Sequence, residues 1–281
     1  MNSSRQPSFG RRKPGPSWHI DFTHPLARGL VSAWMFNDYG GTTARDAALS
    51  PSNGTAAGTT IPTWAPGNFG AFASSHAANF GRWDCGTGTK LDFATAYTGL
   101  CWMKTTASTD PDCSLFGKIN PGTFAGFMAW FQGARNLISY ANGGSRATGA
   151  TAVTANTWNQ MGVSWDGANH FVWVNGKQDG TGSYSTAPTS AGETFRIGGY
   201  ATTSNSRSFV GQIDHVFLWN RQLSVSEIVW HYNEPFAFVA PAEMQRLYFG
   251  PAAAAAGGLF RQGNLSGIGA GGKFFSDPLG A

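Results

Sequence analysis

Charge, cysteine and long apolar runs are all scarce in this sequence. Only 12% of its 281 residues are charged, and the formal net charge is +4. That is not the concentrated basic footprint of a nucleic-acid-binding protein, so no direct nucleic-acid partner is expected. Three cysteines, Cys85, Cys101 and Cys113, are an odd count without metal-type spacing. Two readings stand, a single disulfide or three free buried thiols. The second points to folding in a reducing cytoplasm. No run approaches the ~18 apolar residues of a membrane-spanning helix, and no membrane partner is expected. Residues 1–16 are basic but lack an apolar stretch, so no signal peptide is expected.

Carboxylates in catalytic spacing are missing too. The four glutamates, Glu193, Glu227, Glu234 and Glu243, have no acid two residues away, where it would share a strand face. Asp110 and Asp112 are two apart but flank a proline in a loop. There is no G-x-S-x-G and no phosphate loop, and no histidine pair has zinc-ligand spacing. The expectation is a protein that is not an enzyme, with no catalytic residue to name.

What the chain has in quantity is glycine and aromatics: 38 Gly, 21 Phe and 11 Trp. With turns at short intervals and no helical period, this is the pattern of an all-β sandwich or barrel. Strands are expected at 29–36, 97–104, 114–118, 126–131, 136–140, 156–165, 170–174 and 194–200, with shorter ones between 72 and 85. Asp166-Gly167 and Asn175-Gly176 are hairpin turn signals. The run from Phe209 to Trp219 reads as a buried strand. Asn220-Arg221 is a turn, and Ser224 with Glu227 forms a capping box that opens a helix. One acid, Asp214, lies inside the apolar part, where a charge needs a partner.

Three segments follow from composition. Residues 1–25 form a Pro/Gly-rich basic arm, 26–235 the globular part, and 236–281 an extension ending in a Gly/Ala-rich tail with scattered apolar anchors. Arg5, Arg11, Arg12 and Lys13 in the arm, with Phe260, Phe274 and Phe275 in the tail, are the candidate assembly residues. Either terminal segment is a solvated tail or an arm that orders on a partner.

From Gly29 to Pro235 the residues resemble the LamG-like jelly-roll domains of the concanavalin A-like lectin/glucanase superfamily. Gly29–Asn37 resembles the opening motif, and Ala44-Arg45-Asp46 with Asn53-Gly54-Thr55 the loop after it. Trp158–Val163 resembles a central strand, Val174–Lys177 the Asn-Gly turn, and Gly211–Ser224 the signature strand and its exit. The resemblance implies a two-sheet antiparallel jelly-roll sandwich with extended arms. Glucanases of this superfamily carry an E-x-D-x-x-E strand, which this chain lacks. LamG-like relatives often hold calcium, which implies Asp38, Asp46 and Asp214 as candidate ligands. Alternatively, Asp214 takes backbone N–H groups or pairs with Arg45, a role in the fold. His215 reads as a satisfied or edge histidine. Trp64, Trp130, Tyr140 and Tyr200 are the candidate sugar platforms.

Ile228–Phe236, running into Val239-Ala240-Pro241, resembles the exit of jelly-roll proteins encoded by tailed bacteriophages. That implies a virion structural protein assembled in the host bacterial cytoplasm. It would be a capsid decoration or cement protein, or a head or tail fibre. Its partners would be coat or tail proteins and sister subunits in a homo-oligomer. The alternative is a lectin-like adhesion module for host-surface glycans.

Overall fold

The computed structural model describes residues 10–15, 18–70, 72–77, 81–106, 112–133, 135–189, 192–200 and 208–241. The strands are β1 (Trp18–Ile20), β2 (Leu30–Trp34), β3 (Thr43–Ala44), β4 (Gly54–Ala57), β5 (Thr63–Pro66), β6 (Phe72–His76), β7 (Arg82–Asp84), β8 (Tyr97–Thr105) and β9 (Cys113–Ile119). They continue with β10 (Gly126–Gln132), β11 (Asn136–Ala141), β12 (Gly144–Thr148), β13 (Asn159–Trp165), β14 (Asn169–Val174), β15 (Lys177–Ser183), β16 (Phe195–Ile197), β17 (Gly211–Trp219) and β18 (Val239–Pro241). A helix, α1 (Val225–Asn233), follows β17. The first sheet runs β15-β14-β13-β8-β17-β6-β5, with β2 also on β17. The second runs β12-β11-β10-β9-β16-β7-β4-β3, and β1 pairs with β18 in a separate ribbon. The pairings are antiparallel, so the expected two-sheet sandwich is the observed one.

Side chains alternate between the faces of a strand, and that period sorts the core into layers. In β8, Cys101 and Met103 point into the space between the sheets, while Leu100 and Trp102 point outward. In β17, Val216 and Leu218 go inward and Phe217 and Trp219 outward. The inner layer takes residues from both sheets, such as Trp34 stacked on Phe195 with ring centroids 5.2 Å apart. The outer layer is covered by Leu26, Ile228, Phe236 and Phe238. These central strands are therefore apolar on both faces, which is why they read as continuous runs.

The turns follow their chemistry. Asp166 Oδ1 accepts the N–H groups of Ala168 and Asn169, tightening the β13–β14 connection. Asn175 and Gly176 both have positive φ, 50° and 77°, as the two-residue hairpin between β14 and β15 requires. The capping box opening α1 is complete, with Ser224 Oγ accepting from the Glu227 N–H and the Glu227 carboxylate accepting from the Ser224 N–H. All three cysteines are free and buried.

The sequence reading starts the globular part at Leu26, and residues 10–15 and 18–20 also pack on the sandwich. Gly10 bridges to Phe236, the Lys13 N–H donates to Phe69 O, and β1 pairs with β18. Residues 236–240 are buried as well. Proline and glycine exclude a long strand from residues 10–15, but they do not exclude an extended segment lying on an apolar face.

Candidate functional site

Asp214 lies at a β-bulge. Ile213 pairs with Met103 and His215 with Trp102, so Asp214 is the extra residue on β17. On its other side, β17 passes from β6 (last pair Ile213–Ser74) to β2 (first pair Val216–Trp34). The bulge frees the Asp214 carbonyl from the ladder, and Lys13 satisfies it. Lys13 Nζ donates to Asp214 O at 2.7 Å and lies 2.8 Å from Oδ1. His215 Nδ1 donates to Oδ1 at 3.0 Å, and the Asn68 N–H to Oδ2 at 2.8 Å. Neither the Lys13 nor the Asp214 side chain has any exposure. Burial alone would push the Asp214 carboxyl up, but the Lys13 charge and the His215 bond hold it below its ordinary value. Burial pulls the Lys13 ammonium down, against the attraction of Asp214. The expected Arg45 partner is therefore replaced by Lys13, while the expected backbone N–H bond is present.

The polar chain continues along the outer face of the sheet. His215 and His231 rings lie 5.7 Å apart, and the Gln160 amide donates to His231 Nδ1 at 2.8 Å. The Gly176 N–H closes the chain on Gln160 Oε1. Burial lowers the pKa of both histidines, which keeps the imidazoles neutral. An adjacent Asp–His pair can orient an imidazole for proton transfer, but this one is sealed beneath residues 10–15. Its chemistry is to hold that segment down.

The three candidate calcium ligands do not fit a calcium ion. Asp46 gives Oδ1 to the N–H groups of Ala33 and Ala48, and Oδ2 to the Ser52 N–H and to Lys90 Nζ at 2.7 Å. The Asp214 lone pairs are taken as described. Asp38 accepts the Arg45 N–H at 3.1 Å, and burial raises its pKa. A calcium ion needs those lone pairs free and several oxygens converging. Among the described residues, no three His, Cys, Asp or Glu side chains form such a group.

Three of the four candidate sugar platforms come together. Trp130 lies 5.3 Å from Tyr200 and 6.2 Å from Tyr140, in a small apolar layer with Ile119, Met128 and Ile138. Trp130 is 4% and Tyr200 3% exposed, so neither is an open platform; Tyr140 is half-buried. Trp64 stands apart at the rim of the main core, between Phe36 and Trp83, with its N–H on Gly41 O.

Of the candidate assembly residues, Arg12 is exposed, and Arg11 lies over the Phe69 ring and donates to Asn233 O. Lys13 is spent inside the domain. Arg5, Phe260, Phe274 and Phe275 lie outside the described residues. The functional pairing that sequence reasoning missed is Lys13 with Asp214, 201 positions apart. The buried acid is the signal for it, but the cation comes from the N-terminal segment and not from the loop that holds Arg45.

A laminin G model of the concanavalin A-like lectin/glucanases superfamily matches residues 83–229, just over half of the chain and running from β7 into α1. No curated protein matches in sequence. Among solved structures, domain 4 of AbnA, a GH43 extracellular arabinanase from Geobacillus stearothermophilus, in complex with arabinotriose, is similar at a TM-score of 0.54 and 17% identity. The match covers 73% of this chain and 98% of that one. The binding domain of Paraclostridial mosquitocidal protein 1 gives 0.56 and 14%, covering 74% and 52%. The binding domain of botulinum neurotoxin serotype G gives 0.53 and 13%, covering 72% and 50%. The chain thus spans about half of each toxin domain. At these identities the likeness is one of fold.

Proposed function

Because the chain belongs to the laminin G family of the concanavalin A-like lectin/glucanase superfamily, we propose that it is a non-enzymatic, lectin-like binding protein displayed on a tailed-phage virion. The observation that carries the display half is the β1–β18 ribbon. Trp18 pairs with Pro241, so the start of β1 lies beside the end of β18. The Gly10–Phe236 bridge and the Trp18–Pro241 pair bring both ends of the described sandwich to one region, the arrangement that a tether built from the terminal segments would use. The resemblance of residues 228–241 to phage jelly-roll exits supports the setting. The three buried free thiols suit assembly in a bacterial cytoplasm. Coat or tail proteins and sister subunits are the partners proposed for the flanking segments.

The lectin-like half rests on the fold, and a solved relative is described with arabinotriose. The non-enzymatic reading rests on the glutamates. Glu227 caps α1, Glu193 accepts from Asn120 at 2.6 Å, and Glu234 accepts from Trp230 Nε1 at 3.2 Å. Each is occupied in holding the fold.

The test is co-sedimentation of the purified protein with particles that lack it. The full chain should pellet with them. A variant without residues 243–281 should stay in the supernatant while keeping its thermal transition. If the truncated protein pellets as well as the full chain, residues 243–281 are not the tether; if the full chain itself stays in the supernatant, the display model falls.

A further inference from the structure

On the outer face of the first sheet, a groove of about 500 Å³ runs between the β14–β15 hairpin and the start of α1. Phe171 and Trp173, two residues apart on β14 and so on one face, form its floor, with ring centroids 6.2 Å apart and planes 30° apart. Trp173 is buried and fixed by its N–H bond to Ser164 Oγ at 2.9 Å. Phe171 is half-buried. Gln178, exposed on β15, and Gln222, half-buried ahead of α1, also line the groove. The backbone carbonyl of Gln222 accepts from Arg221, but neither glutamine side-chain amide has a hydrogen-bond partner among the described residues.

We propose that this groove binds a neutral saccharide, stacked on Phe171 and hydrogen-bonded by the Gln178 and Gln222 amides. The inference rests on the lectin-like half of the proposed function and names its site and ligand class. A sugar ring has an apolar C–H face for the aromatic floor, and adjacent hydroxyls that both donate and accept. Each amide offers a donor and an acceptor to match them. The groove offers no unspent charge. Glu227 is held by Arg221 at 2.7 and 2.9 Å, and that guanidinium with the Ser224 bonds brings its pKa down to about 2. The first turn of α1 is already capped by its own box, so it does not call for an anion. A purely apolar occupant would bury two amides without partners, which disfavours a hydrophobic helix or a bare lipid chain.

The experiment is a glycan array probed with the full chain. It carries arabinotriose, cellotriose, laminaritriose and maltotriose as neutral probes, with sialyllactose and oligogalacturonate as acidic ones. The chain should bind at least one neutral probe. Calorimetry on that probe should show Phe171→Ala weakening binding at least tenfold and the Gln178→Ala/Gln222→Ala pair severalfold. Phe171→Tyr should retain binding, and all variants should pellet with particles as the parent does. Neutral binding that survives both sets of alanine variants would overturn the groove and leave the lectin reading intact. Binding confined to acidic probes would overturn the ligand class. Binding to none would remove the lectin reading and this inference together.

Discussion

The outer face of the first sheet is treated in two ways across its width. Over β17 and β8 it is closed. Residues 10–15, the segment from Pro25 to Ala27, α1 and residues 236–240 lie on it, and the charges beneath them are paired. Over β14 and the edge strand β15 it is open, with a half-buried aromatic ring and two side-chain amides that have no partner among the described residues. The same strand chemistry supplies both regions, since aromatic residues alternate outward in each. What differs is whether the chain itself satisfies the polar groups around them. Where it does, the polar groups hold the fold; where it does not, they are available to a ligand.

Removing the key partner on the closed side should have the largest effect. Lys13→Met leaves the Asp214 carboxylate buried with its main counter-charge gone, which should cost about 3–5 kcal/mol in urea unfolding. The pair Lys13→Met/Asp214→Leu should recover only part of that: it leaves no unpaired charge, but the Asn68 N–H, His215 Nδ1 and the carbonyl of residue 214 lose their partners. A loss below about 1 kcal/mol for the single variant would mean that residues 10–15 do not seal the site.

Acid should act on the closed side and on the core while leaving the groove alone. His76 lies in the core, bonded to Ser74 and Gly81 O, and burial brings its pKa down from 6.5 to about 4. The unfolded chain takes up that proton near pH 6.5 and the folded one only near 4. Stability is therefore complete above pH 6.5 and falls as the pH drops towards 4, by about 3 kcal/mol for His76 alone. His215 and His231, both fully buried, shift in the same direction for the same reason and add to the fall. Asp214, held below its ordinary value, withdraws its contribution only at still lower pH. Urea midpoints at pH 7, 5.5 and 4 read the slope, and His76→Gln should flatten it. A level profile would contradict the neutral buried imidazoles. In the groove, Glu227 stays ionised over the whole range, so saccharide affinity should not change between pH 7 and 5.

The contrast between closed and open regions also marks what the sequence could convey. The apolar strand ending at Trp219, the Asp166-Gly167 turn and the Ser224–Glu227 box are each written in neighbouring residues, and each forms as read. The sandwich follows from them. Polar edge strands such as β12 and β15 carry little alternation to announce them, since they need only one partner strand and little burial. The Lys13–Asp214 pair is invisible for another reason. A lysine among prolines and glycines has the local signature of a solvated tail, and only the bulge on β17 gives it a buried carbonyl and carboxylate to meet. The groove likewise depends on Phe171 and Gln222 being brought together from two distant segments. No spacing rule marks that shared lining, whereas Trp130 and Tyr200, conspicuous in the sequence, are buried in a layer of their own.

The smallest expected effect lies on the open side. Ser224→Ala removes the oxygen that accepts the Glu227 N–H at the start of α1. Such a cap contributes about 1 kcal/mol. Arg221 still holds the Glu227 carboxylate through two bonds, and Ser224 is exposed, so the orphaned N–H can turn to water. Urea unfolding should therefore register a loss roughly a fifth to a third of that for Lys13→Met, although each change removes one polar partner. Equal losses would mean that exposure does not set the cost of an unpaired group here. The closed and open regions would then differ in shape alone.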